Sequence, residues 1–401
     1  MNKPYRAIYA AFDPYPSPKG SATHIRHFSS ALFAHMDGGI LYTLGKADEA
    51  SSREEGGVRH ERFNLPVKNY LARAEAFTKR LRQIVAGHPG LQIAHFRDIW
   101  SGLPLLQIGS QFAKVFEVNG LPSVELPYRY GNLPETTLQK IYQLEQHCLL
   151  GADRIVVPSA TIAAHLQKRF IPAEKITLIP NGADVPPAYP KPVDAPEQYL
   201  IYFGALQPWQ GIDVALKALR YLQDFKKLKL IICAAHRRHF VKPYRKLAEK
   251  LGVAERVVWK FRLPQEELWA YVQHAALSLA PLKEGARNLE QGCCPLKILE
   301  AMACGTTNVA SDLPVVRELL TEREDARLVK PERPAELARA VRLLLDHPEV
   351  NDQLARRARE KVVAHYSWTL QCDKLSLLYK SFTDNQTAHV QKFAQSLSDL
   401  S

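Results

Sequence analysis

The sequence lacks the long apolar segments of an integral membrane protein. In its 401 residues no apolar run reaches the length of about 18 residues that a transmembrane helix requires. The apolar stretch that follows Lys3 and Arg6 is short and is interrupted by Asp13 and several prolines. Such a pattern is unlike a secretory signal peptide. We therefore expect a cytoplasmic protein.

Features of metal sites are also missing. The six cysteines form no CxxC pair and accompany no histidine cluster, which argues against a structural zinc site. Most of them lie in apolar runs, where cysteine is usually a small buried residue. Cys293 and Cys294 are adjacent, and a reactive pair there is the alternative. The prediction is that the protein binds no metal.

The net charge is +12, yet the sequence has no arginine-rich tail and no basic residues interleaved with aromatic ones. The densest basic run covers residues 226–250. Phosphorylated small molecules or an anionic lipid surface explain such a charge as well as nucleic acid does. We expect no nucleic-acid partner.

What the sequence does contain is two series of short apolar runs that alternate with helical patterns, which indicates parallel α/β sheets. The predicted strands are residues 6–12, 38–45, 91–97, 113–119, 154–159 and 176–182, then 199–206, 228–235, 256–263, 276–282, 306–312 and 326–330. Between the series, residues 182–198 contain five prolines and are predicted to form a hinge. Two doubly wound units joined in this way imply a cleft at the carboxyl ends of their strands.

The stretch CCPLKILEAMACG, residues 293–305, predicts a helix that begins at Pro295 and ends at Gly305. Glu300 lies one turn into this helix and is either a solvated carboxylate or a ligand for two hydroxyl groups. Lys283, Arg287 and Lys297 bring three cations towards the start of the helix, where free N–H groups favour a diphosphate.

Two other strand-end loops are candidates for binding. Gly20 lies between the first strand and a helix, where its backbone could meet a phosphate or simply form a tight turn. This loop lacks GxGxxG, so a nicotinamide site is not predicted. In the loop after Gly204, Trp209 stands between Gln207 and Gln210. It either contacts a ligand or packs across the hinge.

Four segments, in the order GADRIVVPSATIAAHL, ITLIPNGADV, FGALQPWQGIDVALKAL and EGARNLEQGCCPLKILEAMACGTTNVASDLPVVREL, closely resemble the glycosyltransferases of family 4. The resemblance implies the GT-B fold, in which two Rossmann-like doubly wound domains face each other across a cleft. The implied boundaries are 1–181 for the acceptor-side domain, 182–198 for the hinge and 199–367 for the donor-binding domain, with 368–401 crossing back as a helix onto the first domain.

The resemblance also implies roles for individual residues. The catalytic set would be Glu300, Lys297, Arg287, Asn119 and Glu117. The donor-binding set would be Gly20, Gly204, Gln207, Trp209, Gln210, Arg262, Leu263, Glu284, Glu290, Pro295, Leu296, Lys297 and Glu300.

Several positions depart from the family pattern. Gly292 stands where many relatives have a first glutamate, for which Glu284 or Glu290 would substitute. Ala205 and Gln210 replace the usual arginine and lysine, so Arg287 and Lys297 would carry the diphosphate charge. Asn119 stands where many relatives have a histidine. Asn119 and Glu117 would face the acceptor. The alternative for Glu117 is a purely structural role.

The implied activity is a retaining, metal-independent hexosyl transfer from a UDP- or GDP-sugar, used as substrate without a further cofactor. The acceptor would be a glycan, a lipid carrier or a small molecule. A phosphorylase, a nucleotide-sugar epimerase and a non-catalytic basic binding protein are the alternatives. Residues 67–73 and 73–83 are candidates for peripheral contact with an anionic membrane, or form an ordinary amphipathic helix with its cations in water.

Overall fold

The structure is a computed structural model that describes residues 4–17, 20–108, 112–236 and 238–398, with side chains up to residue 384. Within these ranges, none of the helices combines the length and apolar character needed to cross a bilayer. Residues 399–401, at the end of the segment predicted to cross back, lie outside the described part of the chain.

The described strands form two sheets, one in each half of the chain. The strands of the first sheet are β1 Ala7–Pro14, β2 Gly39–Leu44, β3 Ser52–Glu55, β4 Val58–Phe63, β5 Ile93–Phe96, β6 Ala113–Glu117, β7 Arg154–Val157 and β8 Ile176–Leu178. Those of the second are β9 Gln198–Gly204, β10 Leu228–Ala234, β11 Val257–Phe261, β12 Leu277–Ala280, β13 Asn308–Ser311 and β14 Ala326–Val329.

The helices follow the strands in alternation. They are α1 Gly20–Met36, α2 Tyr70–Ala86, α3 Ile99–Gln107, α4 Pro122–Arg129, α5 Glu135–Gly151, α6 Ala160–Lys168, α7 Ile212–Leu219, α8 Lys242–Lys250, α9 Gln265–Gln273, α10 Leu296–Ala303, α11 Pro314–Arg317, α12 Pro334–Asp346, α13 Pro348–His365 and α14 Trp368–Ser398.

Strand order makes both sheets doubly wound, as predicted. The orders are β3-β4-β2-β1-β5-β6-β7-β8 and β11-β10-β9-β12-β13-β14. All neighbouring pairs are parallel except β3 with β4. The order reverses between β1 and β5 in one sheet and between β9 and β12 in the other. Ligands bind beside such reversals, at the carboxyl ends of the strands.

The predicted strands are present because parallel strands are buried on both faces and therefore read as continuous apolar runs. All six residues of β2 are buried, for example. The pattern missed β3 and β4: β3 is the exposed segment SREE, and the charged residues of β4, VRHERF, break its apolar run.

The last helix returns to the first domain. Trp368, Leu375 and Tyr379 of α14 are buried in one apolar cluster with Phe28 and Leu32 of α1. Between β8 and β9 the chain runs without helix or strand apart from a single bridge, Ala183 to Ser367. The chain passes between the domains twice, once near Ala183 and once near Ser367. This bridge pairs the two passages with each other.

A carboxylate of the second domain caps a helix of the first. The Glu318 side chain accepts hydrogen bonds from the backbone N–H groups of Ala160 and Thr161, at 2.7 and 2.9 Å, and from the Thr161 hydroxyl at 2.6 Å. These groups begin α6, where the helix dipole favours negative charge. The contact stabilises the arrangement in which the domains face each other.

We expect Glu318→Ala to lower the midpoint of thermal unfolding by roughly 2–6 °C, because charged hydrogen bonds to a helix N-terminus contribute about 1–2 kcal/mol. The radius of gyration in small-angle scattering should rise as the domains separate. The exposed Glu324 supplies the control, Glu324→Ala, which should change neither quantity. Equal behaviour of the two variants would contradict the capping role.

Candidate functional site

A cavity of about 430 Å³ lies between the two domains and is lined by residues of both. The predicted site residues that line it are Gly20, Asn119, Gly204, Gln207, Trp209, Gln210, Arg262, Leu263, Arg287, Pro295, Leu296, Lys297 and Glu300. They come from segments as far apart in sequence as the loop after β1 and the helix α10. The fold therefore brings most of the predicted site to one place.

Three residues of the predicted catalytic and donor-binding sets lie elsewhere, and the predicted cation Lys283 does not line the cavity either. Glu284 and Glu290 are exposed and do not line the cavity, so neither substitutes there for the glutamate missing at Gly292. Glu117, predicted to face the acceptor, is only 1% exposed and lies behind the cavity wall. Its position corrects that prediction and corresponds to the structural alternative.

Helix α10 presents its N-terminus to the cavity. Pro295 is its N-cap, and the next residues of the chain, Leu296 and Lys297, also line the cavity. The first N–H groups of a helix have no partner within the helix and carry partial positive charge. This end of α10 therefore offers a site for an anion.

Lys297 is 8% exposed and is held by two neighbours. Its Nζ donates to Oε1 of Gln210 at 2.5 Å and lies 4.0 Å from the centre of the Tyr202 ring. Burial lowers the pKa of Lys297 to about 7, because the charged form loses hydration. A bound anion would supply the negative charge that favours the ammonium form.

Glu300 follows one turn later on the same helix and is partly buried. Burial raises the pKa of Glu300 to about 7, against the opposing influences of Lys297 and a hydrogen bond with Gln265. A carboxylate placed in such a cavity is available to accept two hydroxyl hydrogen bonds.

Arg287 lies in a π-helical turn, Arg287–Gln291, and reaches across the cleft. Its Nε is 2.5 Å from Oε1 of Glu125 in α4, and its guanidinium lies 6.0 Å from the ring centre of Trp209. Trp209 packs edge-on against Tyr128 of the first domain, with ring centres 5.2 Å apart. Trp209 thus packs across the cleft as well as lining the cavity.

Two glycines allow the domains to approach each other closely. A Cβ on Gly20 would lie 2.7 Å from Cδ1 of Leu296. Gly292 has φ +90°, and a Cβ there would lie 2.9 Å from the backbone nitrogen of Ile162. A glutamate at position 292 would therefore be strained and would collide with the first domain in this arrangement.

The loops that follow the strands of the second sheet supply a further part of the cavity wall. Arg262 follows β11 with φ +50° and donates its backbone N–H to the Ala234 carbonyl at 2.9 Å. With Leu263 it forms the part of the wall that is predicted to hold the nucleotide base.

Glu117 organises the first-domain wall. It accepts hydrogen bonds from the Tyr9 hydroxyl at 2.6 Å, from Arg97 at 2.9 Å and from the Asn119 side chain. The ring nitrogens His24 Nδ1 and His95 Nε2 lie 3.1 and 3.3 Å from its oxygens. The carboxylate therefore orients side chains that line the cavity.

Sequence analysis missed His24, Arg97 and Asn181, which all line the cavity. Arg97 directly follows β5 and Asn181 follows β8, so the strand-end rule used for other loops could have found them. His24 lies one turn into α1, where the sequence offers no comparable signal.

Among the described residues, no group of three or more histidine, cysteine, aspartate or glutamate side chains is arranged to hold a metal ion. Cys148, Cys233, Cys294 and Cys304 are buried, as expected of cysteines in apolar runs, and Cys293 is partly exposed.

Two family models match the chain side by side. The model described as Glycosyltransferase Family 4 matches residues 18–185, and the one described as Glycosyl transferases group 1 matches residues 190–361. A D-inositol 3-phosphate glycosyltransferase of Corynebacterium glutamicum is 28% identical over 312 residues, which are 72% of this chain and 69% of that protein.

Solved structures share the fold. Sucrose-phosphate synthase from Thermosynechococcus elongatus gives a TM-score of 0.78 at 20% identity, over 95% of this chain and 100% of that one. Anabaena Alr3699/HepE in complex with UDP-glucose gives a TM-score of 0.73 at 15% identity, over 94% and 100%. At such identities the likeness concerns the fold alone.

Proposed function

We propose that this chain, which belongs to the family 4 type of GT-B glycosyltransferases, transfers a hexose from a nucleotide-diphosphate sugar with retention of anomeric configuration. The acceptor is a hydroxyl group of a glycan, a lipid carrier or a small molecule. A UDP- or GDP-sugar serves as donor, and no further cofactor takes part.

One observation carries the proposal: the N-terminus of α10, Lys297 and Glu300 face one interdomain cavity at the carboxyl ends of both sheets. A helix N-terminus and a buried amine fit a diphosphate, and a carboxylate one turn later fits the two hydroxyls of a ribose. The neighbour solved with UDP-glucose has the same fold and supports this choice of donor.

The chemistry we propose is stabilisation of the leaving diphosphate. When the bond between the sugar and the diphosphate breaks, negative charge grows on the leaving oxygen. Lys297 and the N–H groups of α10 are already in place to stabilise that charge without reorganising. The acceptor hydroxyl attacks from the same face, and the leaving phosphate takes its proton.

Domain contacts around the cavity would exclude water during transfer. Arg287 with Glu125 and Trp209 with Tyr128 join the domains beside the cavity. Exclusion of water strengthens electrostatic interactions in the site and limits hydrolysis of the donor.

The test is a thermal-shift screen of the full chain with UDP, GDP, ADP, UDP-glucose, UDP-galactose, UDP-N-acetylglucosamine and GDP-mannose. A ligand that binds the folded state raises the unfolding midpoint by an amount set by its concentration relative to Kd. Product analysis with and without acceptor follows for the donor that stabilises the protein. A phosphorylase would require inorganic phosphate, and an epimerase would convert the donor without an acceptor. Absence of stabilisation by every compound would overturn the proposal.

Peripheral contact of α2 with an anionic membrane is a second part of the proposal. Ala74, Phe77, Leu81 and other apolar residues of α2 are buried in the domain core. What faces solvent is the cationic side, including Lys79, together with Lys68 and the exposed Leu71. Contact would therefore be mainly electrostatic.

We expect binding to vesicles that contain phosphatidylserine, and at least about 30-fold weaker binding after Lys68→Glu with Lys79→Glu, since each cation near an anionic surface contributes about 1 kcal/mol and every 1.4 kcal/mol is a factor of ten. Vesicle co-sedimentation at low and high salt measures this. The matched control is Lys226→Glu with Lys227→Glu in the second domain. No sedimentation of the wild type at low salt would rule out membrane contact.

A further inference from the structure

A cluster of cationic and aromatic side chains lies on the first domain, outside the cavity. The guanidinium of Arg73 lies 5.7 Å from the ring centre of Phe12. That of Arg129 lies 6.0 Å from the ring centre of Tyr70 and 5.4 Å from that of Tyr130. The rings of Phe12 and Tyr70 pack edge-on with their centres 5.7 Å apart. These contacts join the five residues into one group, the arginine–aromatic cluster.

The fold places this cluster at the carboxyl edge of the first sheet, beside the cleft. Phe12 lies near the C-terminal end of β1, Arg73 near the start of α2, and Arg129 at the end of α4. Tyr128, the residue before Arg129, packs across the cleft against Trp209, which lines the cavity. A molecule that enters the cavity from the first domain therefore passes the cluster.

Both arginines of the cluster lack an anionic partner. Among the described residues, neither guanidinium forms an ion pair or a hydrogen bond, and Nε of Arg73 is buried. Two carboxylates on the same elements, Asp13 of β1 and Glu125 of α4, pair instead with other arginines, which line the cavity. A guanidinium offers five N–H donors and keeps its charge at any ordinary pH. The cluster therefore has two cations available for an anion.

Tyr70 supplies a further donor. Its hydroxyl oxygen accepts a hydrogen bond from Nε1 of Trp100 at 3.0 Å, and within the described ranges its own proton has no acceptor. Burial raises the pKa of Tyr70 to about 12, so the hydroxyl stays protonated at neutral pH. Because Trp100 already uses the oxygen as an acceptor, the hydroxyl is oriented to donate to a ligand.

We propose that Arg73, Arg129 and the hydroxyl of Tyr70 bind a phosphate group of the acceptor, which makes the acceptor a phosphate monoester. Guanidinium groups match phosphate oxygens in pairs of hydrogen bonds. A phosphate monoester presents three terminal oxygens to the three side chains, whereas a carboxylate presents two. The identification of the bound molecule as the acceptor rests on the proposed function. Binding of the phosphate itself does not depend on it.

The first experiment measures binding of two phosphate monoesters, glucose 6-phosphate and dihexanoylphosphatidic acid, by isothermal titration. The full chain is first saturated with the nucleotide found in the screen, which keeps the probes out of the donor site. We expect Kd to rise about 10–100-fold in Arg73→Gln and in Arg129→Gln. Arg129→Lys should lose less, because it keeps the charge. Tighter binding of the sugar phosphate indicates a soluble acceptor, and tighter binding of the lipid phosphate indicates a lipid acceptor.

Arg82→Gln is the matched control. Arg82 is exposed on the same helix as Arg73, about 14 Å further along its axis. Its replacement removes the same charge and should leave Kd unchanged. If the arginines of the cluster only support the aromatic rings, Arg73→Gln and Arg129→Gln will lower the unfolding midpoint and leave Kd as in the wild type. That result would overturn the inference.

Glucose and glucuronic acid complete the panel of probes. Failure of both phosphates to bind, or tighter binding of glucuronic acid than of glucose 6-phosphate, would overturn the inference while the proposed function stands. If no nucleotide binds in the screen, the proposed function is overturned instead. Titration of the two phosphates without nucleotide then still tests the cluster, since the three side chains belong to the first domain alone.

Discussion

Replacing Lys297 with methionine is expected to lower kcat for sugar transfer by about 100–1000-fold, the range seen when one preorganised group that stabilises developing negative charge is removed. Methionine has a similar length and can pack on the Tyr202 ring, which lies 4.0 Å from Nζ in the native protein. Loss of activity would then reflect loss of the charge and of the hydrogen bond to Gln210. Steady-state kinetics at pH 7 measure the effect.

The same substitution should stabilise the empty protein at low pH. Burial lowers the pKa of Lys297 from 10.5 to about 7, so folding disfavours its charged form. That penalty is fully present below pH 7 and disappears as pH rises toward the unfolded value. Lys297→Met should therefore raise the midpoint of thermal unfolding most at pH 6 and little at pH 10.

Donor affinity of the wild type should depend on the same group. A diphosphate favours the ammonium form of Lys297, so the donor Kd should rise as pH increases above about 7. Isothermal titration between pH 6 and 9 tests this, and the rise in Kd above about pH 7 should be absent in Lys297→Met.

Lys283 provides the matched control, because Lys283→Met removes a cation from the same stretch of sequence. Its Nζ lies 2.9 Å from Asp213, and the residue does not line the cavity. We expect its kcat to stay close to wild type. If both lysine variants retained wild-type kcat, the leaving-group role of Lys297 would be wrong.

Glu300→Ala is expected to weaken nucleotide binding by about 10–100-fold, since hydrogen bonds to a charged group contribute about 1.5–3 kcal/mol. The thermal stabilisation by the nucleotide identified in the screen should largely disappear. Nucleotide and nucleotide sugar should be affected alike, because the proposed contact is with the ribose that both share.

The pH dependence of stability gives a separate check on Glu300. Burial raises the pKa of Glu300 from 4.5 to about 7, so its ionised form is disfavoured in the empty protein. The penalty is absent below pH 4.5, grows as pH rises and is complete above about pH 7. Glu300→Gln should therefore raise the unfolding midpoint of the empty protein at pH 8 and leave it nearly unchanged at pH 4.5.

The exposed Glu290, ten positions earlier in the sequence, supplies the control Glu290→Ala. Nucleotide binding by this variant should match the wild type. Retention of full nucleotide-induced stabilisation in Glu300→Ala would exclude the ribose role and require a different orientation of the donor in the cavity.

The sequence alone determined the alternation of strands and helices. Parallel strands that are covered on both faces must be apolar throughout. Runs such as residues 228–235 can therefore be recognised as strands from the sequence, without knowing which strands they pair with. The helix from Leu296 to Ala303 is equally local, since a proline before its start and Gly305 beyond its end delimit it. An exposed antiparallel strand such as Ser52–Glu55 has no such pattern, because only its pairing with β4 makes it a strand.

Only the tertiary structure decided what the charged side chains do. Nothing near Glu117 in the sequence shows that Tyr9, Arg97 and the two histidines His24 and His95 converge on its carboxylate and bury it. The sequence offered Glu284 or Glu290 as a substitute for the glutamate missing at Gly292, and only the structure shows that both are exposed and lie outside the cavity. Local patterns follow from the chain's own periodicity, whereas burial and ionisation depend on which distant segments meet. The contacts of Glu117 form only when the first domain folds, and the cavity around Glu300 forms only when the two domains face each other.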